Sequence, residues 1–147
     1  MRTWSLKKFD ELSVHELYAV LQLRNIVFAI EQNCVYPDMD ERDQPSFHLL
    51  CTHNNMLIAY SRLLPPGLTY EEPSIGRVVT SPTVRGTGIG KELMDRSIEA
   101  CTMLFGKTPI RISAQTYLIK FYTDLGFQTE GESYIEDSIP HIVMIRY

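Results

Sequence analysis

The sequence lacks the features that mark several functional classes. Its three cysteines form no Cys-x-x-Cys pair, so neither a disulfide framework nor a zinc site is supported. Its net charge of −4 argues against a nucleic-acid-binding surface, which needs a basic patch. No apolar run is long enough to span a bilayer, and the amino terminus lacks the apolar core of a signal peptide. We therefore expect a soluble, cytoplasmic protein that binds neither nucleic acid nor membrane.

What remains is the composition of an ordinary globular domain. Apolar residues make up 44% of the chain and charged residues 22%. A length of 147 residues is the usual size of one domain with its own core. Internal repeats, low-complexity segments and linkers are absent, so residues 1–147 are interpreted as one domain.

Hydrophobic periodicity and turn residues predict an α/β domain. The predicted strands cover residues 3–9, 46–52, 56–64, 75–80, 109–114, a segment starting at 127, and 139–147. A capping-box pattern at Ser13 predicts the start of the first helix. Gly106 and Gly126 are predicted to end the second and third helices. The order is β-α-β-β-β-α-β-α-β-β with one parallel crossover, and a further helix starting near Glu31 is left open.

The segment 31–44 is polar and irregular. Four acidic side chains cluster within it: Asp38, Asp40, Glu41 and Asp43. An EF-hand counted from Asp38 would need glycine at its sixth position and a carboxylate at its twelfth, where the chain has Asp43 and Leu49. We reject metal binding and predict a solvated loop. A rim that attracts a cationic substrate is the alternative.

One stretch has the layout of an anion site. A β-branched run ends at Thr80, the glycine-rich segment 85–91 follows, and a helical pattern comes next. This layout points backbone N–H groups and the positive end of a helix dipole at an anion. Alternating glycines let the backbone approach the anion closely. The stretch predicts a phosphate cradle, and a simple cap or tight corner is the alternative.

Spacing excludes two common nucleotide-binding loops. A Walker A loop needs glycine at the position of Arg85 and Ser or Thr at the position of Glu92. The dinucleotide fingerprint needs a third glycine where the chain has Lys91. The pattern that does fit is Arg-x-x-Gly-x-Gly, from Arg85 to Gly90.

This pattern resembles the pyrophosphate-binding loop of the GNAT superfamily of acyl-CoA-dependent N-acetyltransferases. Residues 114–127, A-Q-x-x-x-x-x-F-Y-x-x-x-G-F in outline, resemble its second signature segment. Residues 17–34 and 139–142 resemble the ElaA-like bacterial subgroup. The resemblance covers nearly the whole chain and implies a mixed, mostly antiparallel β-sheet flanked by helices.

The resemblance implies acetyl-CoA as the co-substrate and no metal. Backbone groups of Val78, Val79 and Thr80 would pair with the pantetheine arm. The pyrophosphate would be held by Arg85, Gly86, Thr87, Gly88, Ile89, Gly90 and Lys91. Gln115, at the start of the second signature segment, is a further residue expected to contact acetyl-CoA, the acetyl donor.

The resemblance also implies a general acid for the departing CoA thiolate at Tyr122. Its alternative is a purely structural role, because Tyr122 belongs to an apolar helical stripe. The base is not identified; the candidates are His141, Glu136, Asp137 and His48. Arg24 and Glu31 are candidate acceptor contacts, although an arginine in an apolar stripe can also be one that extends its head to solvent.

The predicted function is transfer of acetyl from acetyl-CoA to a primary amine by direct attack on the thioester. The amine is a small molecule or a peptide, and a homodimer is left open. One alternative is a catalytically inactive acyl-CoA-binding regulatory module. Another is a structural dimerisation domain with an empty glycine turn.

Overall fold

A computed structural model describes all residues, Met1–Tyr147, as seven strands, three helices and one π-helical segment. The strands are β1 (Arg2–Lys8), β2 (Phe47–His53), β3 (Met56–Leu64), β4 (Ser74–Thr80), β5 (Ile110–Gln115), β6 (Gln128–Glu136) and β7 (Ile139–Arg146). The helices are α1 (Val14–Arg24), α2 (Ile89–Phe105) and α3 (Ile119–Asp124), and the π-helical segment is Asn25–Glu31. The predicted element order is confirmed.

The strands form two sheets. The first has the order β1-β2-β3-β4 and the second the order β5-β7-β6. Every ladder in both sheets is antiparallel. The fold is therefore the expected mixed α/β fold with antiparallel strands and flanking helices.

The predicted parallel crossover forms no ladder, and β4 and β5 belong to different sheets. β4 and β5 are neighbours, and the N–H of Arg111 donates to the carbonyl of Pro73 at 3.1 Å. Pro73 directly precedes β4 and Arg111 is the second residue of β5, so the strands are joined at their beginnings and form no ladder beyond that point. A wedge-shaped cleft opens between the sheets, and the glycine loop follows β4 at its wide end.

Helix α2 fixes that loop to the core. Its apolar face is predicted by the helical spacing of seven residues, of which five are buried: Leu93, Met94, Ser97, Ile98 and Cys101. Leu104 and Phe105 complete the face and are partly buried. Buried Ser61 of β3 donates a hydrogen bond to Ser97 at 2.7 Å, because the Ser97 hydroxyl itself donates to the carbonyl of Leu93. Gly106 ends the helix with a φ of 88°. Neither α2 nor any other helix is long and apolar enough to cross a membrane.

The first helix begins as predicted and ends differently. The hydroxyl of Ser13 accepts from the N–H of Glu16, whose carboxylate accepts from the N–H of Ser13. After Arg24 the helix widens into the π-helical segment, which ends at Glu31. No new helix begins near Glu31, so that expectation is wrong. Such wide turns in α-helices are frequent at functional sites, and this one borders the cleft.

Candidate functional site

The amino terminus of α2 is an open set of backbone donors. Gly88 occupies the N-cap with a φ of 81° and offers no side-chain acceptor. Gly86 has the same φ, and a Cβ built at either glycine would contact no other heavy atom within 4 Å. The first helical N–H groups, at Ile89 and the two residues that follow, have no acceptor within the helix. The loop therefore presents uncapped amides and a positive dipole end, as the phosphate cradle requires.

Charged side chains surround this loop, and each has an acidic partner. Arg85 lies 2.7 Å from Glu31, and Lys91 lies 2.9 Å from Asp95. Arg2 reaches the loop from β1 and donates to the hydroxyl of Thr87 at 3.3 Å. Glu31 thus lies beside the loop and does not line the cleft, so its expected acceptor contact is corrected.

Strand β4 presents a free edge to the cleft. The N–H of Ser81 donates to the carbonyl of Ile58 at 2.8 Å. Because the backbone groups of successive strand residues point to opposite sides, those of Val79 face β3, and those of Thr80 and Val78 face the open edge. Two of the three residues expected to pair with the donor arm therefore have free backbone groups.

A β-bulge interrupts β4 at the middle of the cleft. Tyr60 pairs with Val79 and Arg62 pairs with Gly76, so two residues of β4 oppose one residue of β3. The first of the two is Arg77, whose φ of 49° lies in the left-handed region. Bulges re-aim side chains next to active sites, and this one turns Arg77 into the cleft.

The cleft between the sheets has a volume of about 430 Å³. Its walls come from β4, β5, the π-helical segment, the 31–44 segment and the β6–β7 hairpin. The lining residues that matter below are Arg42, Arg77, Val78, Gln115, Tyr122, Glu136 and His141. The predicted acid, three of the four predicted base candidates (Glu136, Asp137 and His141) and two predicted donor contacts (Val78 and Gln115) are therefore brought to one cavity. No group of three or more His, Cys, Asp or Glu side chains is arranged to hold a metal ion.

Tyr122 belongs both to the core and to the cleft. Its ring packs edge-on against Phe121 and Phe127, with centroids 5.1 and 5.8 Å apart, and only 8% of the residue is exposed. Burial, with a smaller effect of Tyr117, raises the pKa of its phenol to about 12. The phenol therefore keeps its proton throughout the physiological range and remains a hydrogen-bond donor.

His141 carries a free basic nitrogen. Its Nδ1 lies 2.7 Å from the carbonyl of Ile139, which can only accept, so Nδ1 bears the proton in the neutral ring. The Nε2 is then the basic atom, 3.6 Å from a carboxylate oxygen of Glu136. The ring of Tyr134 stacks on the imidazole at 6.2 Å. Geometry thus pairs the two base candidates and orients one of them.

His48 is a structural histidine. Its Nε2 donates to the carbonyl of Asp43 at 2.9 Å, and its Nδ1 accepts from the hydroxyl of Tyr60 at 2.6 Å. The residue is 1% exposed and does not line the cleft. Neither ring nitrogen is free, so His48 is excluded as the base.

The burial of His48 predicts a pH dependence of stability. Burial, helped by the charges of Arg24 and Arg62, lowers its pKa below the ordinary 6.5. Below pH 6.5, His48 binds a proton in the unfolded chain but not in the native chain. The free energy of unfolding therefore falls on acidification, by up to about 1.4 kcal/mol per pH unit. In urea unfolding across a pH series, His48→Gln should flatten this slope. His15→Gln, at an exposed histidine, should retain it; an unchanged slope in His48→Gln would contradict the assignment.

Three of the four acidic side chains of the 31–44 segment are held inward by arginines, so the expected solvated cluster is wrong for Asp38, Asp40 and Asp43, whereas Glu41 is exposed. Arg24, which is fully buried, donates to Asp38 at 2.7 Å and to Asp43 at 2.8 Å. Arg62 donates to Asp43 at 2.9 Å and binds both oxygens of Asp40. Burial alone would raise the pKa of Asp40, but its pairing with Arg62 lowers it to about 2.

This network corrects two expectations. The three aspartates are matched by arginines, so they do not form an acidic rim for a cation. Arg24 does not line the cleft, and its expected acceptor contact is replaced by a structural role. It fastens the 31–44 segment, which forms one wall of the cavity, to the first helix and the sheet.

The position of several residues at the site could not be predicted from the sequence. Arg2 is remote from the glycine loop in the chain and reaches it only through the sheet. Ser113 and Tyr134 join β5 to β6 through a short hydroxyl–hydroxyl hydrogen bond. Arg77 follows Gly76 in a plain strand pattern, and only the bulge reveals its direction.

Comparisons with known proteins identify the family. Residues 18–147 match the family described as an acetyltransferase (GNAT) domain. The chain is 43% identical over 148 residues to the protein ElaA of Escherichia coli K12, covering 99% of this chain and 97% of ElaA. Crystal structures of an acyl-CoA N-acyltransferase from Pseudomonas aeruginosa and of Escherichia coli ElaA superpose with TM-scores of 0.96 and 0.93. Each is 42% identical, and 100% of both chains is covered. The chain therefore belongs to the GNAT acetyltransferase family and is similar to ElaA throughout its length.

Proposed function

We propose that the protein is an acetyl-CoA-dependent N-acetyltransferase that transfers acetyl to a primary amine. The observation that carries the proposal is spatial continuity. An uncapped, glycine-lined helix terminus leads along the free edge of β4 to a cavity that contains Tyr122 and the basic nitrogen of His141.

The donor fits the first part of this path. The amides from Gly86 to Lys91 would hold the pyrophosphate, and exchange of Glu31 for phosphate would free Arg85 to add its charge. The backbone groups of Val78 and Thr80 would pair with the amides of the pantetheine arm as a neighbouring strand does. Gln115 of β5 lines the same cleft, where its amide donates to Gln32 at 3.3 Å.

The acceptor amine must lose a proton before it attacks. An alkylammonium has a pKa near 10.4, so at neutral pH only a small fraction is the free amine. The Nε2 of His141 is placed to accept this proton, and Glu136 beside it would stabilise the imidazolium that forms. The nitrogen then forms a bond to the acyl carbon, and the carbonyl electrons move onto oxygen. As the carbonyl re-forms, the carbon–sulfur bond breaks, CoA leaves as the thiolate, and the nitrogen loses its extra proton to solvent.

The backbone would stabilise the oxyanion, and Tyr122 the leaving sulfur. The N–H of Val78, directed to the open edge at the bulge, is the candidate oxyanion donor. A phenol with a pKa of about 12 does not fully protonate a thiolate whose pKa is near 8.5. Tyr122 is therefore proposed to donate a hydrogen bond to the sulfur as the carbon–sulfur bond breaks.

Thiol release from acetyl-CoA over a panel of primary amines and peptides tests the proposal directly. Calorimetry with CoA is run on the same preparation. CoA binding with amine-dependent thiol release is the expected result. CoA binding without release from any amine would support the inactive binding module instead. No binding at millimolar CoA would overturn any role in donor binding.

Substitution of Gly88 tests whether the glycine loop binds the pyrophosphate of CoA. Gly88→Ala places a methyl group among the amides, and loss of one charge-assisted hydrogen bond should weaken CoA binding about tenfold or more. Gly106→Ala, at the other end of α2, is the matched control. Both glycines have positive φ, so each variant should lose roughly 1–3 kcal/mol of stability. Equal CoA affinities in calorimetry would show that the loop is only a helix cap.

A further inference from the structure

Arg77 is held in an unfavourable backbone conformation. A φ of 49° is uncommon for a residue that is not glycine, asparagine or aspartate, and it costs about 1–3 kcal/mol. Gly76, which could adopt such angles freely, is the preceding residue and has an ordinary strand conformation. The strained position of the bulge, which faces the cleft, is therefore occupied by a long cationic side chain and not by the neighbouring glycine.

The charge of Arg77 is incompletely matched by the protein. Its Nε lies 3.1 Å from Asp38, yet neither Nε nor that carboxylate oxygen makes a hydrogen bond of acceptable geometry. Asp38 is already bound to Arg24 at 2.7 Å. The Arg77 guanidinium rests on the ring of Phe28 at 5.0 Å, where a planar cation is oriented but not neutralised.

The two walls of the cleft carry opposite charge. On one side, a network of four arginines and three aspartates forms or backs the wall: Arg24, Arg42, Arg62 and Arg77 with Asp38, Asp40 and Asp43. Of these, Arg42, Arg62, Arg77 and Asp40 line the cavity itself. The surplus positive charge lies with Arg42, which is half exposed, and with the poorly matched Arg77. On the other side, Glu136 and Asp137 line the cavity together with the ring of His141.

We propose that the acceptor is a small amine that also bears a carboxylate, that is, a free amino acid or a close analogue. This inference rests on the proposed N-acetyltransferase function. The carboxylate binds Arg77, assisted by Arg42, and the amine faces Glu136 and the Nε2 of His141. The cavity of about 430 Å³ is near the lower limit for small-molecule sites and must also admit the acyl end of the donor, which favours a small acceptor.

The test uses acceptor pairs that differ only in the carboxylate: leucine with isoamylamine, phenylalanine with phenethylamine, and lysine with cadaverine. The readout is the ratio of kcat/KM within each pair, measured by thiol release from acetyl-CoA. Differences in amine basicity cancel when this ratio is compared between variants. We expect the wild-type protein to favour at least one amino acid over its partner, and Arg77→Gln to lower that ratio about tenfold or more.

Two variants separate recognition from folding. Arg77→Lys keeps the charge and should recover part of the ratio. Arg96→Gln is the matched control, because Arg96 also lies over an aromatic ring, Trp4, and beside a carboxylate, Glu92, but outside the cleft. It should leave the ratio unchanged. Calorimetry with CoA on each variant confirms that the donor site is intact.

The outcomes distinguish the two proposals. Equal or better use of the carboxylate-free amines, cadaverine included, would overturn the amino-acid inference and leave N-acetyl transfer standing. An unchanged ratio in Arg77→Gln would overturn the role of Arg77. Absence of thiol release with every amine, despite CoA binding, would overturn the proposed function and the inference with it.

Discussion

Replacement of Tyr122 by phenylalanine should lower kcat by about 10²–10³ while the affinity for CoA stays unchanged. The size is that of removing one donor aimed at charge that develops in the transition state. The aromatic ring that packs between Phe121 and Phe127 is retained, so the fold should be preserved. Steady-state kinetics at saturating acetyl-CoA, with calorimetry for CoA, measures both quantities.

Tyr117 provides the matched control for this substitution. It also lines the cleft, but 70% of it is exposed, and its hydroxyl has access to water. Tyr117→Phe should change kcat less than about tenfold, since no single developing charge depends on it. If Tyr122→Phe retained wild-type kcat, Tyr122 would be only a core residue, as its position in the apolar stripe also allows.

Replacement of Asp43 by alanine should destabilise the fold by about 3–5 kcal/mol, the cost of leaving buried charges without their partner. The Asp43 carboxylate accepts from Arg24 at 2.8 Å and from Arg62 at 2.9 Å, and both arginines are buried. Opposing burial, these two guanidinium groups hold the pKa of Asp43 below its ordinary value. Denaturant unfolding at neutral pH measures the loss.

Glu41 supplies the comparison within the same segment. Its side chain is exposed and accepts only from Gln44, at 3.0 Å. Glu41→Ala should change the free energy of unfolding by no more than about 0.5 kcal/mol, as exposed substitutions usually do. A loss below about 1 kcal/mol in Asp43→Ala would show that the network is solvated and does not hold the cleft wall.

Local patterns were sufficient for much of the fold. The Ser13 cap, the glycine stop at Gly106 and the buried stripe of α2 depend on neighbours within a few turns of the chain. The same holds for the Arg85–Lys91 loop, whose conformation follows from glycine placement and a following helix. The sequence could therefore locate an anion cradle, and the resemblance could say which kind.

The features that could not be predicted from the sequence depend on contacts between segments that are distant in the chain. Whether Asp38 is solvated or paired is decided by Arg24 and Arg77, which other elements bring to it. The direction of the Arg77 side chain is set by a register shift between β4 and β3, and no residue of β4 predicts that shift from its type. The pairing of Glu31 with Arg85 likewise requires the π-helical segment to reach the glycine loop. These contacts can be identified only from the three-dimensional arrangement of the helices and strands.

The free edge of β4 also bears on whether another chain can pair with this strand. A strand with unpaired N–H and C=O groups is a template for another chain's strand and hence for aggregation. Here the edge lies inside a wedge whose narrow end is closed by the hydrogen bond from Arg111 to Pro73. The hydrogen bond at the narrow end therefore limits the access of another chain's strand to the free edge of β4.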